Sequence, residues 1–260
     1  MSKKTLNEFP FDEKMISCQN RGVFPDLAIR LNVDKNIFSG GELIELKDSK
    51  SYNVSSFNST IPTGKKEIAK VIKGENSIVK KQMEKVGDVI DSLPVRDVYY
   101  LVRGIHKKNI KVVLIHGSFF ETVKSADLIS QSFGKVLNEC LQEKELDIGK
   151  NIKDLLVDIF SEQESFSKVR NVDKASVKLR FRIMTEVRAE GNILNPKKYP
   201  EIPDNTINLI IPCHNKQDEE LTIKRFSTVC DISQFKQLKI KHHLNGYFIV
   251  FQQNLKITKQ

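Results

Sequence analysis

The sequence predicts an α/β protein in which a mixed central β-sheet is flanked by helices. Apolar and polar residues alternate at 26–31 and 42–47, as they do in half-buried strands. Residues 95–105 and 110–116 are dense in Val, Ile, Leu and Tyr and are expected to be central strands. Helical spacing of apolar residues follows at 125–144. Strands and helices in this order indicate an α/β core.

The N-terminal part is expected to contain a β-hairpin. Residues 1–20 are predicted to be helix or loop, and Gly22 and Pro25 break the chain before the first strand. The glycines at 40 and 41 form a turn that joins the strands at 26–31 and 42–47. These two strands are therefore expected to pair with each other.

Local patterns predict the remaining elements in chain order. Residues 48–64 are polar and are expected to form a loop, and residues 65–89 are expected to form one broken helix or two. Further helical spacing occurs at 152–160, and strand-like patterns occur at 175–187, 206–212 and 246–255. We expect a single domain over 1–260, with a core at about 1–145 and an added, β-rich C-terminal region at about 146–260.

Composition narrows the functional classes. The chain has 42 Lys and Arg against 33 Asp and Glu, a net charge of +9, and this excess indicates a polyanionic partner such as nucleic acid. The apolar runs are shorter than the ~20 residues that cross a bilayer, and no secretory signal is evident, so we expect a cytoplasmic protein without membrane spans. Four separated cysteines without a CxxC pair are expected to be free thiols.

Three side chains on the predicted hairpin have the chemistry of phosphodiester hydrolysis. Asp26 follows Pro25, and Glu45 and Lys47 lie two residues apart on the second strand. Positions two apart face the same way, so Glu45 and Lys47 should project together into a cleft while Ile44 and Leu46 face the core. The two carboxylates and the carbonyl of Leu46 would offer Mg²⁺ a partial oxygen shell. Lys47 would then hold or polarise the attacking water.

This pattern resembles the signature of the PD-(D/E)xK nuclease superfamily, which here reads Pro25-Asp26 followed by Glu45-Leu46-Lys47. Within that superfamily the chain is similar in size to type II restriction endonucleases. The resemblance implies a restriction-endonuclease-like core and Mg²⁺-dependent cleavage of double-stranded DNA at a specific sequence. It also implies that the region beyond about residue 145 recognises the DNA sequence.

The motif is more specific than its length suggests. An acid two residues before a lysine occurs at Asp12–Lys14, Glu45–Lys47 and Asp48–Lys50. Glu45–Lys47 is the pair that lies in an alternating apolar strand, after a glycine turn and downstream of a Pro-Asp. The competing interpretation is a solvent-facing strand with a surface ion pair worth ~0–1 kcal/mol.

Two groups of residues are candidates for contacting DNA, because hydroxyl, amide and cationic side chains bind phosphates. The first group belongs to the polar segment after the motif: Ser49, Lys50, Tyr52, Ser55, Ser56, Asn58, Lys65 and Lys66. The second group follows strand alternation on one face near residue 180: Lys178, Arg180, Arg182 and, close by, Arg188. A well-hydrated loop and an exposed charged strand face are the alternative interpretations.

The same residues also fit functions other than that of a restriction endonuclease. A structure-specific repair or junction nuclease of the same superfamily is one alternative, and a non-catalytic DNA-binding protein is another. The chain lacks a Gly-x-x-x-x-Gly-Lys phosphate loop and a Gly-x-Ser-x-Gly elbow, which disfavours ATP-driven cleavage and serine hydrolase chemistry. A symmetric DNA target would favour a homodimer, and a heterodimer is left open.

Overall fold

The computed structural model describes residues 15–19, 24–31, 40–54, 56–58, 62–72, 77–121, 125–161, 168–172, 175–178, 184–186 and 191–255. The strands are β1 (Ile16–Gln19), β2 (Leu27–Ile29), β3 (Leu43–Ser49), β4 (Ser56–Asn58), β5 (Lys65–Glu67), β6 (Val95–His106), β7 (Asn109–His116), β8 (Lys168–Val172), β9 (Ala175–Lys178), β10 (Met184–Glu186), β11 (Thr206–Pro212), β12 (Lys236–His242) and β13 (Gly246–Asn254). The helices are α1 (Ile68–Val71), α2 (Ile78–Lys85), α3 (Ser125–Glu143), α4 (Lys150–Ser161) and α5 (Lys216–Val229).

The chain divides into two compact units, and the first is built on a nine-stranded sheet. This unit comprises residues 1–55, 63–121 and 186–260. Its strand order is β1-β2-β3-β6-β7-β11-β13-β12, with β5 also pairing with β6. The β3–β6 and β7–β11 pairs are parallel and the other neighbours are antiparallel. The predicted mixed central sheet flanked by helices is confirmed.

One face of the sheet packs against α5. This helix begins after Asn215, whose side-chain oxygen accepts a hydrogen bond from the backbone N–H of Asp218, as N-cap residues do. Phe226 of α5 stacks on Phe251 of β13 at a ring distance of 4.1 Å, and the buried cluster also contains Cys213, Cys230, Phe235 and Ile249. Stacked aromatic rings bury a large apolar area, and this contact holds α5 on the sheet.

The opposite face is covered by irregular chain at residues 191–205. Ile193, Leu194 and Ile202 are buried there. Leu194 lies so close to Gly104 of β6 that a Cβ at position 104 would be 2.7 Å from its Cδ1. The irregular backbone is tied down by side chains, since Asn192 donates to the carbonyl of Tyr52 at 3.0 Å. Glycine at 104 is therefore needed for close packing.

The second unit comprises residues 56–62 and 122–185. Helices α3 and α4 pack against each other in it. Strands β8 and β9 form an antiparallel pair, and β4 pairs with β10 in a separate two-stranded sheet. The predicted helices at 125–144 and 152–160 correspond to α3 and α4.

Several elements differ from the sequence-based expectation. Ile16–Gln19 is a strand that pairs with β2, where helix or loop was expected. The loop predicted at 48–64 begins later, because β3 continues through Ser49. Strands β11 and β13 complete the central sheet through the pairing of β11 with β7, so residues 206–254 are not a region added to a core that ends near residue 145.

The described residues form α-helices of 4 to 19 residues. None of them is both long enough and apolar enough to cross a membrane.

Candidate active site

The three motif residues lie together at the boundary between β2 and β3. Strands β2 and β3 are antiparallel neighbours, with Leu27 opposite Ile44, as the predicted hairpin requires. Asp26 immediately precedes β2 and therefore lies beside the middle of β3. Its Oδ2 accepts a hydrogen bond from the backbone N–H of Leu46 at 2.8 Å. The carboxylate of Asp26 thus takes the place of the strand partner that β2 no longer supplies.

Glu45 and Lys47 form an ion pair on one face of β3. Lys47 Nζ donates to Glu45 Oε1 at 2.9 Å. Glu45 is 9% exposed, and the side chain of Lys47 is 23% exposed. The pair is therefore mostly enclosed, in contrast to the solvent-facing surface ion pair that was the competing interpretation of the motif.

The burial of β3 is the reverse of the sequence-based expectation. Ile44 and Leu46 were expected to face the core, but Leu46 is 44% exposed and Ile44 is half-buried. The face with Glu45 and Lys47 also carries the buried Leu43 and Ser49. Alternation along a strand separates the two faces but does not say which one the rest of the protein covers.

The environment of Glu45 makes its ionisation unfavourable. Burial raises the pKa of Glu45, the nearby Lys47 ammonium opposes this shift, and the neighbouring Asp26 carboxylate adds to it. Behind Glu45, the parallel register places Tyr100 of β6 directly alongside it. Tyr100 is fully buried, and burial together with the charge of Glu45 raises the pKa of its hydroxyl. An additional positive charge near the two carboxylates would relieve their repulsion.

The oxygen atoms at this site fit a hard divalent cation. Asp26 and Glu45 supply carboxylate oxygens, and Mg²⁺ prefers oxygen ligands while keeping several waters. In a strand, the N–H and C=O of one residue point to the same side, so the carbonyl of Leu46 faces the side of Asp26. Among the described residues no three His, Cys, Asp or Glu side chains converge, so two carboxylates and a carbonyl are the available protein ligands.

Ser49 and Tyr52, two residues of the predicted DNA-contacting segment, serve the fold. The Ser49 hydroxyl donates to the carbonyl of Asn53 at 3.0 Å and accepts from the N–H of Asn53 at 2.9 Å. Tyr52 is buried against Gly104 in a left-handed conformation, with φ of 55°. These contacts shape the chain after β3 and engage both side chains within the protein.

The lysines of the same segment remain exposed or lie beside the site. Lys50 is exposed at the end of β3. Lys66 places its Nζ 4.5 Å from the ring centre of Phe24, two residues before Asp26. Lys65 is exposed and lies 3.8 Å from Asp97. Their positions on the same unit as the motif are compatible with contacts to a bound polyanion.

The other predicted DNA-contacting residues belong to parts of the chain where side chains are not described. Ser56 and Asn58 lie on β4, and Lys178 lies on β9, where the structure defines the backbone. The remaining four candidates lie outside the described residues: Ser55, Arg180, Arg182 and Arg188. Their predicted DNA contacts therefore stay predictions.

Tyr100 is the site neighbour that sequence reasoning did not identify. The sequence around Tyr100 is typical of a buried apolar strand, and the position of Tyr100 beside Glu45 depends on the β3–β6 register.

Comparison of the chain with protein-family models, with curated proteins and with solved structures found no match in any of the three.

Proposed function

We propose that this protein is a Mg²⁺-dependent endonuclease that hydrolyses phosphodiester bonds of double-stranded DNA. The observation that carries the proposal is the convergence of Asp26, Glu45 and Lys47 from adjacent strands. The three residues are separated by up to 21 positions in the sequence, yet the Asp26 carboxylate bonds the backbone between Glu45 and Lys47. The resemblance of these residues to the PD-(D/E)xK signature supports the same reaction.

The roles of the three residues follow from their chemistry. Asp26, Glu45 and the carbonyl of Leu46 would hold Mg²⁺, which supplies charge stabilisation at the phosphate and lowers the pKa of a bound water. Lys47 would orient a water and neutralise phosphate charge, since its ammonium is held beside Glu45. In the reaction the water oxygen adds to phosphorus and one P–O ester bond breaks, which leaves a hydroxyl end and a phosphate end.

Sequence-specific cleavage, as in a type II restriction endonuclease, is the finer form of this proposal. It is supported by the net charge of +9, which suits a phosphate backbone, and by the motif resemblance. A homodimer would suit a twofold-symmetric DNA target, because each copy would cut one strand. A cytoplasmic location also belongs to this proposal, since such an enzyme acts on DNA inside the cell.

A cleavage assay tests the proposal directly. The purified protein is incubated with unmethylated phage DNA and MgCl₂, beside an EDTA control and the variants Glu45→Gln and Glu84→Gln. Glu84 is exposed on α2, so its substitution makes the same chemical change away from the site. We expect discrete fragments from the wild type and from Glu84→Gln, and cleavage reduced more than about 100-fold in Glu45→Gln.

The products distinguish the alternatives. A smear of fragments would indicate cleavage without sequence specificity, and cleavage confined to branched or nicked DNA would indicate a repair or junction nuclease. Full activity of Glu45→Gln would show that the catalytic centre lies elsewhere in the protein. DNA binding without cleavage of any of these substrates would favour the non-catalytic DNA-binding protein.

A further inference from the structure

A basic turn lies at one end of the central sheet, in the same unit as the candidate active site. We use the name basic turn for His106, Lys107 and Lys108, which connect β6 to β7 and are all exposed. His106 pairs with Asn109 across the hairpin, so the two lysines form its tip. Neither Lys107 nor Lys108 makes an ion pair with a described residue. Their ammonium groups are therefore available to an external anion.

The backbone of the turn suits lysine poorly. Lys107 has a φ of 54°, in the left-handed region where L side chains crowd the backbone. Tight hairpin turns favour glycine or asparagine at such a position. Position 107 thus carries a lysine where glycine or asparagine would fit the backbone better. The turn itself therefore does not require a lysine at position 107, and the side chain there is exposed.

The position of the basic turn relative to Glu45 and Lys47 is fixed by the sheet. Strands β3 and β6 are parallel, with Lys47 opposite Val102. Lys107 is five residues beyond Val102, which corresponds to ~16 Å along the strand direction. The ring of His106 lies 5.5 Å from that of Tyr52, which is itself anchored through Asn192. The chain after β3 therefore contacts the end of β6 that leads into the turn.

This spacing matches a duplex that extends beyond the reacting phosphate. The rise of B-DNA is ~3.4 Å per base pair, so for a duplex that lies along the strand direction ~16 Å corresponds to about five base pairs. The major groove is ~12 Å wide, and a flexible lysine side chain can reach a phosphate at its far edge. Lys50 is exposed just beyond the end of β3 and interacts electrostatically with Asp48.

We propose that Lys107 and Lys108 bind backbone phosphates of double-stranded DNA about five base pairs from the phosphate that is cleaved. The inference rests on the proposed function for its reference point, the reacting phosphate. The contact itself is electrostatic and independent of base sequence, as phosphate contacts are. It adds a DNA-contacting element that belongs to neither of the two groups of candidates identified in the sequence.

The test measures DNA binding without cleavage. A fluorescently labelled 30-base-pair duplex is titrated by anisotropy in CaCl₂ and, separately, in EDTA, over a range of NaCl concentrations. The test variant combines Lys107→Gly with Lys108→Ser, and glycine at position 107 suits the left-handed backbone. We expect its affinity to fall about 10-fold at low salt, and the slope of log K against log [NaCl] to decrease by about two. Its melting temperature should equal or exceed that of the wild type.

Two further variants separate position from charge. Lys224→Ser with Lys236→Ser removes the same charge from exposed positions on α5 and on the edge strand β12, and should leave the salt slope unchanged. Lys107→Arg with Lys108→Arg keeps both cations and should retain the affinity. Loss of affinity in the α5–β12 control equal to that in the test variant would overturn the assignment to the basic turn.

The outcomes for the turn and for the nuclease are distinct. Wild-type affinity and salt slope in the Lys107→Gly/Lys108→Ser variant would overturn the proposal, whether or not the protein cleaves DNA. Failure of the wild type to bind the duplex would also overturn it. Reduced binding by this variant, together with no cleavage by the wild type in MgCl₂, would support the phosphate contact and reject the nuclease.

Discussion

Two ion pairs of the central sheet, Asp88–Arg96 and Glu45–Lys47, differ in how much of their side chains is exposed. Arg96 at the start of β6 contacts Asp88 through two hydrogen bonds, of 3.1 and 3.3 Å, and both side chains are 0% exposed. Glu45 and Lys47 on β3 share one contact of 2.9 Å, and the Lys47 side chain keeps access to solvent. The first pair is out of reach of any ligand. The second can exchange partners with a phosphate or a cation.

This difference separates a structural role from a chemical one. A guanidinium is planar and matches a carboxylate in a two-bond geometry, which fixes Asp88 and Arg96 in place. A lysine ammonium is a point charge on a flexible stem, and it can reorient without a large change in the surrounding packing. The sheet therefore contains one ion pair suited to holding its shape and one whose lysine can reorient.

The largest expected effect comes from breaking the enclosed pair. Asp88→Ala leaves the Arg96 guanidinium buried without its carboxylate, and we expect the free energy of unfolding to fall by about 3–5 kcal/mol. Urea denaturation followed by circular dichroism measures this loss. Replacing both residues, with Asp88→Leu and Arg96→Met, should recover most of the stability, because no buried charge remains. A single variant as stable as the wild type would contradict the structural role.

The second effect separates activity from stability at Glu45. Glu45→Gln should reduce cleavage more than about 100-fold but increase the free energy of unfolding at pH 7–8. The reason is that the folded state raises the pKa of Glu45, mainly by burial. Its contribution to stability is therefore fully present below its unfolded pKa and is lost as the pH rises through the folded pKa.

The pH dependence checks the sign of this argument. The difference in unfolding free energy between Glu45→Gln and the wild type should be near zero at pH 4 and should favour the variant at pH 8. Thermal unfolding at both pH values measures it, with Glu84→Gln as the exposed control. A Glu45→Gln variant less stable than the wild type at pH 8 would show that the ion pair with Lys47 outweighs the burial of the carboxylate.

Lys47 should affect the reaction more than the fold. Lys47→Met removes the ammonium beside Glu45 and should reduce cleavage at least about 100-fold. The free energy of unfolding should also fall, because Glu45 is left largely buried without its cation, but by less than in Asp88→Ala, because the Lys47 side chain is 23% exposed. Single-turnover cleavage and urea denaturation measure the two effects. Destabilisation as large as that of Asp88→Ala would mean that the two ion pairs do not differ in role.

The sequence predicted the strands that alternate clearly and the site that depends on local spacing. Glu45 and Lys47 face the same way because they are two residues apart, and the turn before β3 brings β2 alongside. The burial of that face was predicted the wrong way round. Which face is covered depends on residues 191–205 and on β6, which are distant in the sequence.

Helix α5 and strand β12 were not identified because their sequences are polar. Residues of α5 include Lys216, Gln217, Asp218, Glu219 and Glu220, and an apolar stripe is hard to recognise among them. A capping signal was present nonetheless, since Asn215 is followed three residues later by Asp218. Strand β12 alternates lysines with Leu238 and Ile240, but its pairing with β13 is a long hairpin whose register the sequence left open.

The smallest expected effect belongs to a third ion pair, between Asp48 and Arg103 on the exposed face of β3 and β6. Arg103 bonds both carboxylate oxygens of Asp48, at 2.9 and 3.0 Å, but both side chains are more than half exposed. The Arg103 side chain holds the pKa of Asp48 below its usual value. The stability contributed by Asp48 is therefore present above its unfolded pKa and is lost as the pH falls through the folded value.

Arg103→Gln should consequently change thermal stability little at pH 7, and the change should vanish in 1 M NaCl, where the Debye length is ~3 Å. Melting curves at pH 7 and pH 3, each at low and high salt, measure this dependence. A loss of stability that persists in high salt would place the Asp48–Arg103 pair with the enclosed Asp88–Arg96 pair. Exposure predicts that Asp88–Arg96 contributes most to stability and Asp48–Arg103 least. Such a result would show that exposure does not order the contributions of the three ion pairs.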